Sequence, residues 1–230
     1  KKRVNRQKLS KTFKETGAVI ACSRNQLSLG SRIGEKVGLY EVPQDRSFDI
    51  DTIADLYLCE AMLARKKIVF NVVGYPRVGL GHAYRAVMLA NELVKFEIIF
   101  VCSKYSQIAI DYIKSKNYEV IISDSNEDAI VEAINNLKPN LIINDVLDTE
   151  TSFMTKLKKS SSVIVNFEDM GEGSKKADLV INALYPNQIP EEKVLVGPDY
   201  FCLRDEFLYI GAHEKQKKIE IKKILLSFGG

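Results

Sequence analysis

The chain has 230 residues, a formal net charge of +3, 46% apolar residues and 27% charged ones. That is ordinary globular composition, with length for one large or two modest domains. No window reaches the roughly 18 apolar residues of a membrane span, and the opening "KKRVNRQKLSK" lacks the apolar centre of a signal peptide.

Charge is distributed unevenly. Residues 1–68 hold 14 Lys/Arg against 8 Asp/Glu, while residues 69–230 hold 19 against 22. The basic residues of the first part are dispersed along it, so a nucleic-acid partner is not expected. Cys22, Cys59, Cys102 and Cys202 are far apart, with no C-x-x-C pair. They read as reduced thiols of a cytoplasmic protein, not as a disulfide framework or a zinc site.

In chain order, "GAVIACS" and "KVGLYEVP" read as strands around the polar stretch "RNQLSLGSRIGE". "DTIADLYLCEAMLARK" then reads as a helix with Ile53, Leu56, Leu58 and Met62 packed and Asp51 or Thr52 as its cap. The rhythm changes near residue 66. "KKIVFNVV", "EIIFVC", "YEVIIS", "LIIND", "SVIVNF", "ADLVINA" and "KVLVG" are short apolar runs of strand type. "HAYRAVMLANELV", "YSQIAIDYIKSK" and "NEDAIVEAINNLKP", the last with an Asn126 cap, carry helical periodicity between the first of these runs. Strands apolar throughout are buried on both faces, and helical crossovers impose parallel pairing. The expected class is α/β, a doubly wound parallel Rossmann-like sheet. "KKILLSFGG" reads as one more strand entering a glycine turn, the opening of a second nucleotide-binding unit. Both chain ends read as interior points of a longer protein.

Ligands of such sheets collect at the carboxyl ends of the strands. "GYPRVGLGH" occupies that place after the first strand of the α/β part. Gly74, Gly79 and Gly81 allow close backbone approach, and the helix that follows offers N–H groups to an anion. The spacing is not G-x-G-x-x-G, so a dinucleotide is not indicated. His82 at the helix start is placed to act as a neutral imidazole base. The same pattern also fits a purely structural turn, and a histidine satisfied within the core.

"GLGHAYRAVMLANEL", "LIINDVLD", "VIVNFEDMGEGSKKADLVINALYP", "VLVGPDYFCLRDEF" and "ILLSFGG" follow one another in order. Together they resemble the amino-terminal half of the UDP-sugar hydrolases of the pseudaminic acid pathway and the related spore-coat-polysaccharide glycosyltransferase-like proteins. The resemblance covers about residues 67–230. It implies the first half of a two-domain GT-B fold over 67–221, with a UDP-binding domain opening at 222–230. The family motif G-x-G-H-x-x-R falls on Gly79, Gly81, His82 and Arg85. It implies that His82 activates water against an anomeric carbon, and that Gly79, Gly81, Arg85 and Asp145 bind substrate. Where the hydrolases carry Asp-Ser-Tyr, this chain has "NDVLD", which matches Asp145 and not the tyrosine.

"RSFDIDTIADLYLCEAM" holds two aspartates at i and i+2, a spacing that lets Asp49 and Asp51 share a hard cation such as Mg²⁺. A capping role for Asp51 fits as well. The stretch resembles the S-x-D-I-D-T motif of the CMP-sialic acid synthetases (acylneuraminate cytidylyltransferases). "RQKLSKTFKETGAVIA" is similar to a second motif of that family, matching it at Arg6, Gln7, Gly17 and Ala18. The resemblance implies that residues 1–66 are the carboxy-terminal part of a cytidylyltransferase-like domain. Arg6 and Gln7 would bind substrate, Asp49 and Asp51 would hold Mg²⁺, and "LGSRIGEKVGLYEVP" would form a homodimer contact. Together the two resemblances imply a bifunctional nonulosonic-acid enzyme that uses CTP and a UDP-sugar. A glycosyltransferase and a non-catalytic nucleotide-sugar-binding module are the alternatives.

Overall fold

The computed structural model describes residues 12–27, 33–34, 36–43, 46–158, 162–185, 192–203, 207 and 224. The chain divides into two compact units, Lys1–Ala64 and Arg65–Gly230.

The first unit contains a single helical turn, α1 (Arg24–Leu27), and the helix α2 (Ile53–Leu63). Thr52 is the N-cap of α2. Its hydroxyl accepts from the Asp55 backbone N–H at 3.2 Å, while the Asp55 carboxylate accepts from the Thr52 N–H at 2.8 Å. This reciprocal capping box settles the alternative left open by the sequence: Thr52, and not Asp51, starts the helix. Two expectations fail here. Neither "GAVIACS" nor "KVGLYEVP" forms a strand. A strand needs a neighbour for its backbone N–H and C=O groups, and no described residue supplies a ladder there. Nor does α2 bury an apolar face: Ile53 is 67% exposed and Leu58 44%. Arg6 and Gln7 lie outside the described residues.

Among the described residues, the second unit forms a seven-stranded sheet. Its strands are β1 (Lys67–Val72), β2 (Glu97–Ser103), β3 (Glu119–Ser123), β4 (Leu141–Asp145), β5 (Val163–Phe167), β6 (Leu179–Asn182) and β7 (Val194–Val196). They lie in the order β3-β2-β1-β4-β5-β6-β7, and every neighbouring pair is parallel. This is the doubly wound α/β class expected from the sequence. The helices α3 (Gly81–Glu92), α4 (Gln107–Ser115), α5 (Glu127–Asn136) and α6 (Thr151–Leu157) make the crossovers. On one face, Phe70, Val72 and Phe100 pack against Ala83, Val87 and Ala90 of α3 and Ile110 and Ile113 of α4. On the other, Val69, Val101 and Ile142 pack against Ile134 of α5 and Met154 and Leu157 of α6.

Helix α6 was not legible. It is seven residues long, begins in a run of Thr and Ser, and buries only Phe153, Met154 and Leu157. The strand expected over 222–230 lies outside the described residues, apart from Ile224. Among the described residues no helix is long and apolar enough to cross a membrane.

Candidate functional site

Strand order reverses between β1 and β4, which lie side by side while their following loops depart in opposite directions. The groups expected to do chemistry meet there. From the start of α3, His82 turns its Nδ1 to the Oδ1 of Asp145, the last residue of β4, at 2.5 Å. One turn further along α3, Arg85 meets the same carboxylate with two parallel bonds, Nε to Oδ2 at 2.7 Å and Nη2 to Oδ1 at 2.5 Å. Its remaining arm, Nη1, donates to Oε1 of Glu168 at 3.3 Å, and its Cζ lies 5.5 Å from the centre of the Phe167 ring. Asp145 is fully buried, whereas the His82 and Arg85 side chains keep 15% and 16% of their exposure.

A cavity of about 370 Å³ opens above this cluster. His82, Arg85 and Glu168 line it on the polar side, and Met88, Leu147 and Tyr185 are among the apolar groups that complete it. Nδ1 is committed to the carboxylate, so Nε2 is the ring nitrogen left for whatever occupies the cavity. Donation from Nδ1–H to a carboxylate also fixes the tautomer in which Nε2 carries the lone pair. The arrangement can therefore accept a proton at Nε2 while the buried carboxylate steadies the ring.

Burial alone would lower the pKa of Arg85. The hydrogen bonds and charge of Asp145, with the charge of Glu168, outweigh burial and leave it raised. The guanidinium is thus a permanent positive charge between two carboxylates. Cys202 also lines the cavity, and burial pushes its thiol upward, away from the reactive thiolate.

The glycines of "GYPRVGLGH" do three different things. At Gly74 an added Cβ would lie 2.7 Å from the Cβ of Ala109, so this glycine lets the turn after β1 pack against α4. Gly79 has φ +78°, a left-handed conformation that favours glycine, in a turn closed by its N–H on the carbonyl of Tyr75 at 2.9 Å. Gly79 does not line the cavity, and its requirement is conformational. Gly81 does line it, and a Cβ there would meet nothing within 4 Å. Of the two glycines expected to touch substrate, only Gly81 is placed to do so. Asp145 is not among the lining residues, and both its oxygens serve His82 and Arg85.

Two parts of the site were missed in the sequence. Glu168 is the first. The second is a row of buried amides one position before the carboxylate. Asn71, Asn144 and Asn166 stand in register across β1, β4 and β5. They hydrogen-bond in series, Asn71 Nδ2 to Asn144 Oδ1 at 3.1 Å and Asn144 Nδ2 to Asn166 Oδ1 at 3.0 Å. Asn166 then donates to Asp169, which also receives the Thr149 N–H and hydroxyl and the Gly171 N–H. The loops after β4 and β5 are thereby tied together below the cavity. The signal was visible: "IVFN", "LIIN" and "VIVN" each set an amide near the end of an apolar run.

Among the described residues no group of three or more His, Cys, Asp or Glu could hold a metal ion. Asp49 and Asp51 are both exposed, and Asp49 Oδ1 accepts from the Ile50 N–H at 3.0 Å.

No family model matches the chain. An uncharacterized protein of Methanocaldococcus jannaschii, MJ1062, is 34% identical over 179 residues, which is 71% of this chain and 37% of that protein. The chain thus spans well under half the length of this relative. Among solved structures, the crystal structure of MurG from Acinetobacter baumannii matches with a TM-score of 0.46 and 13% identity. That match covers 57% of this chain and 45% of that one.

Proposed function

We propose that the second unit binds a nucleotide sugar at the carboxyl ends of β1, β4 and β5, with His82 as the general base for attack on the anomeric carbon. The carrying observation is the 2.5 Å bond from His82 Nδ1 to the buried Asp145, on a ring that lines the cavity. A base needs its proton-accepting nitrogen at the substrate and its other nitrogen held, and this pairing provides both. The position at the reversal of strand order adds support, since ligands of doubly wound sheets collect there. On this reading the attacking group is water and the reaction is hydrolysis of a UDP-amino-sugar, as the motif resemblance implies. The sugar leaves with a new C–O bond, UDP departs with its phosphate oxygen, and His82 receives the proton of the water.

Glycosyl transfer needs the same base, with a sugar hydroxyl in place of water, while a binding module needs no turnover. A full-length protein given a UDP-sugar alone separates the three. Free sugar marks the hydrolase, turnover only with an added acceptor marks the transferase, and binding without turnover marks the module.

The first unit is proposed as part of a cytidylyltransferase acting on an acidic sugar with CTP. With Thr52 serving as the cap, Asp49 and Asp51 are both exposed and would hold Mg²⁺ with water and substrate phosphates completing its shell. Mg²⁺ there would neutralise phosphate charge. Asp49→Asn and Asp51→Asn in the full-length protein should each abolish cytidylyl transfer and leave the unfolding transition unchanged. Near-normal transfer in both variants would remove this assignment.

A further inference from the structure

Glu168 is the residue of the site whose position is hardest to account for by strand geometry. Along β5, alternation puts Phe167 on the α3 face, so the next side chain should leave on the opposite face. Instead Glu168 adopts φ +50°, a left-handed conformation uncommon for a side chain of this kind. That turn ends the strand and brings the carboxylate back to α3, where it stays 5% exposed. Strain of this sort persists only where the surroundings over-determine it. Here four hydrogen bonds do so. The Glu168 N–H donates to the Ile181 carbonyl at 2.9 Å, Oε1 accepts from the Ala183 N–H at 3.1 Å and Arg85 Nη1 at 3.3 Å, and Oε2 accepts from the Leu184 N–H at 3.1 Å.

Both Glu168 oxygens are occupied by N–H donors, so the residue serves as an acceptor. What it accepts from is informative. The backbone amides of Ala183 and Leu184 fix it to the chain that follows β6, so it is a rigid post. Arg85 is a planar fork, and a fork held at one end only can swing about its own stem. With Nη1 on the post, Nε and Nη2 are directed at Asp145, and the carboxylate cannot rotate without losing both. The same carboxylate carries His82. Three strand ends are joined in this way, β5 through Glu168, β4 through Asp145, and β1 through the helix that bears His82 and Arg85.

We propose that Glu168 is a positioning residue for His82, acting through Arg85 and Asp145 to hold the ring as its Nδ1–H tautomer with Nε2 on the cavity. It touches neither the ring nor, on this account, the reacting atoms. Its kinetic consequence rests on the reading of His82 as the base; its structural consequence does not.

The test uses Glu168→Gln in the full-length protein, a substitution that keeps the shape and one acceptor oxygen. The ring ¹⁵N signals of His82 are assigned by their loss in His82→Asn. With the ring neutral, the parent should be overwhelmingly Nδ1–H at His82, and the variant should lose about tenfold in the ratio of Nδ1–H to Nε2–H, the effect of one charged hydrogen bond released. An unchanged ratio in the folded variant overturns the proposal. The kinetic arm is a fall in kcat of about tenfold with KM little changed, because misplacement of a base acts on the chemical step. Should the parent turn over no UDP-sugar, the function proposed above fails, and the tautomer ratio still decides the role of Glu168. A measurement on the parent alone covers a variant that does not fold. Anchored at both ends, the Arg85 guanidinium should give resolved Nη1 and Nη2 signals, and a single averaged signal overturns the proposal as well.

Discussion

Replacing Asp145 by Asn tests the centre of the site with the smallest change of shape. Oδ1 of Asp145 serves His82 Nδ1 and Arg85 Nη2, and Oδ2 serves Arg85 Nε. An asparagine offers one oxygen and an NH₂ group in their place. If its oxygen takes the Oδ1 position, the NH₂ group confronts Arg85 Nε–H, donor against donor, in a fully buried position. If it is flipped, the NH₂ group faces His82, which can accept only by moving its proton to Nε2. Removing one partner of a buried ion pair costs about 3–5 kcal/mol, and Glu168 still neutralises Arg85, so the lower end, about 3 kcal/mol, is expected. For a unit of this size that is roughly 6–12 °C in the unfolding midpoint. The flipped form is the wrong tautomer for a base, and by analogy with the hydrolytic triads that fault costs on the order of 10⁴-fold in turnover. The assay is thermal unfolding followed by circular dichroism, with turnover of a UDP-sugar by the full-length protein. A midpoint within about 2 °C of the parent, together with turnover within about tenfold of it, would mean that Asp145 neither holds Arg85 nor orients His82.

Gly74→Ala should destabilise the second unit by about 1–3 kcal/mol, because its new methyl would be driven into Ala109, and thermal unfolding measures this. Gly81→Ala should leave the same midpoint unchanged or slightly raised and weaken substrate binding, since its methyl enters open space at the cavity. Cys102 is buried, and that burial pushes its thiol up to about 12. It should resist a thiol reagent under native conditions and react on unfolding. The sign of the linked pH effect follows: the unfolded thiol ionises near about 8.5, so this contribution to stability is complete below that value and is lost as pH rises toward the folded one.

The sheet was legible because each strand is a short apolar run and each of the first helices carries its own cap or periodicity. Asn126 illustrates this, accepting from the Ala129 N–H at 2.7 Å as its position before two acids predicts. The first unit was misjudged for the opposite reason. "GAVIACS" has the composition of a strand, but pairing depends on a partner that composition does not reveal. His82 could be singled out from its place between a glycine turn and a helix. Asp145 could be named as a substrate contact, but its pairing with His82 was not legible, since it lies 63 residues away and reaches the ring only because β1 and β4 become neighbours. Glu168 gave less signal still. Its role depends on a backbone torsion that reverses the strand alternation, and an acidic residue following an apolar strand ordinarily reads as a loop. The glycines show the limit of a motif: one spacing pattern covers a packing contact, a left-handed turn and an open approach to the cavity.

The proposed role of His82 as a base on a bound nucleotide sugar is put to the test by His82→Asn in the full-length protein, assayed for turnover and for UDP-sugar binding on the same preparation. Turnover should fall on the order of 10²–10⁴-fold, with binding and the unfolding midpoint retained. Retained turnover in a folded but less stable variant would make the histidine a packing residue.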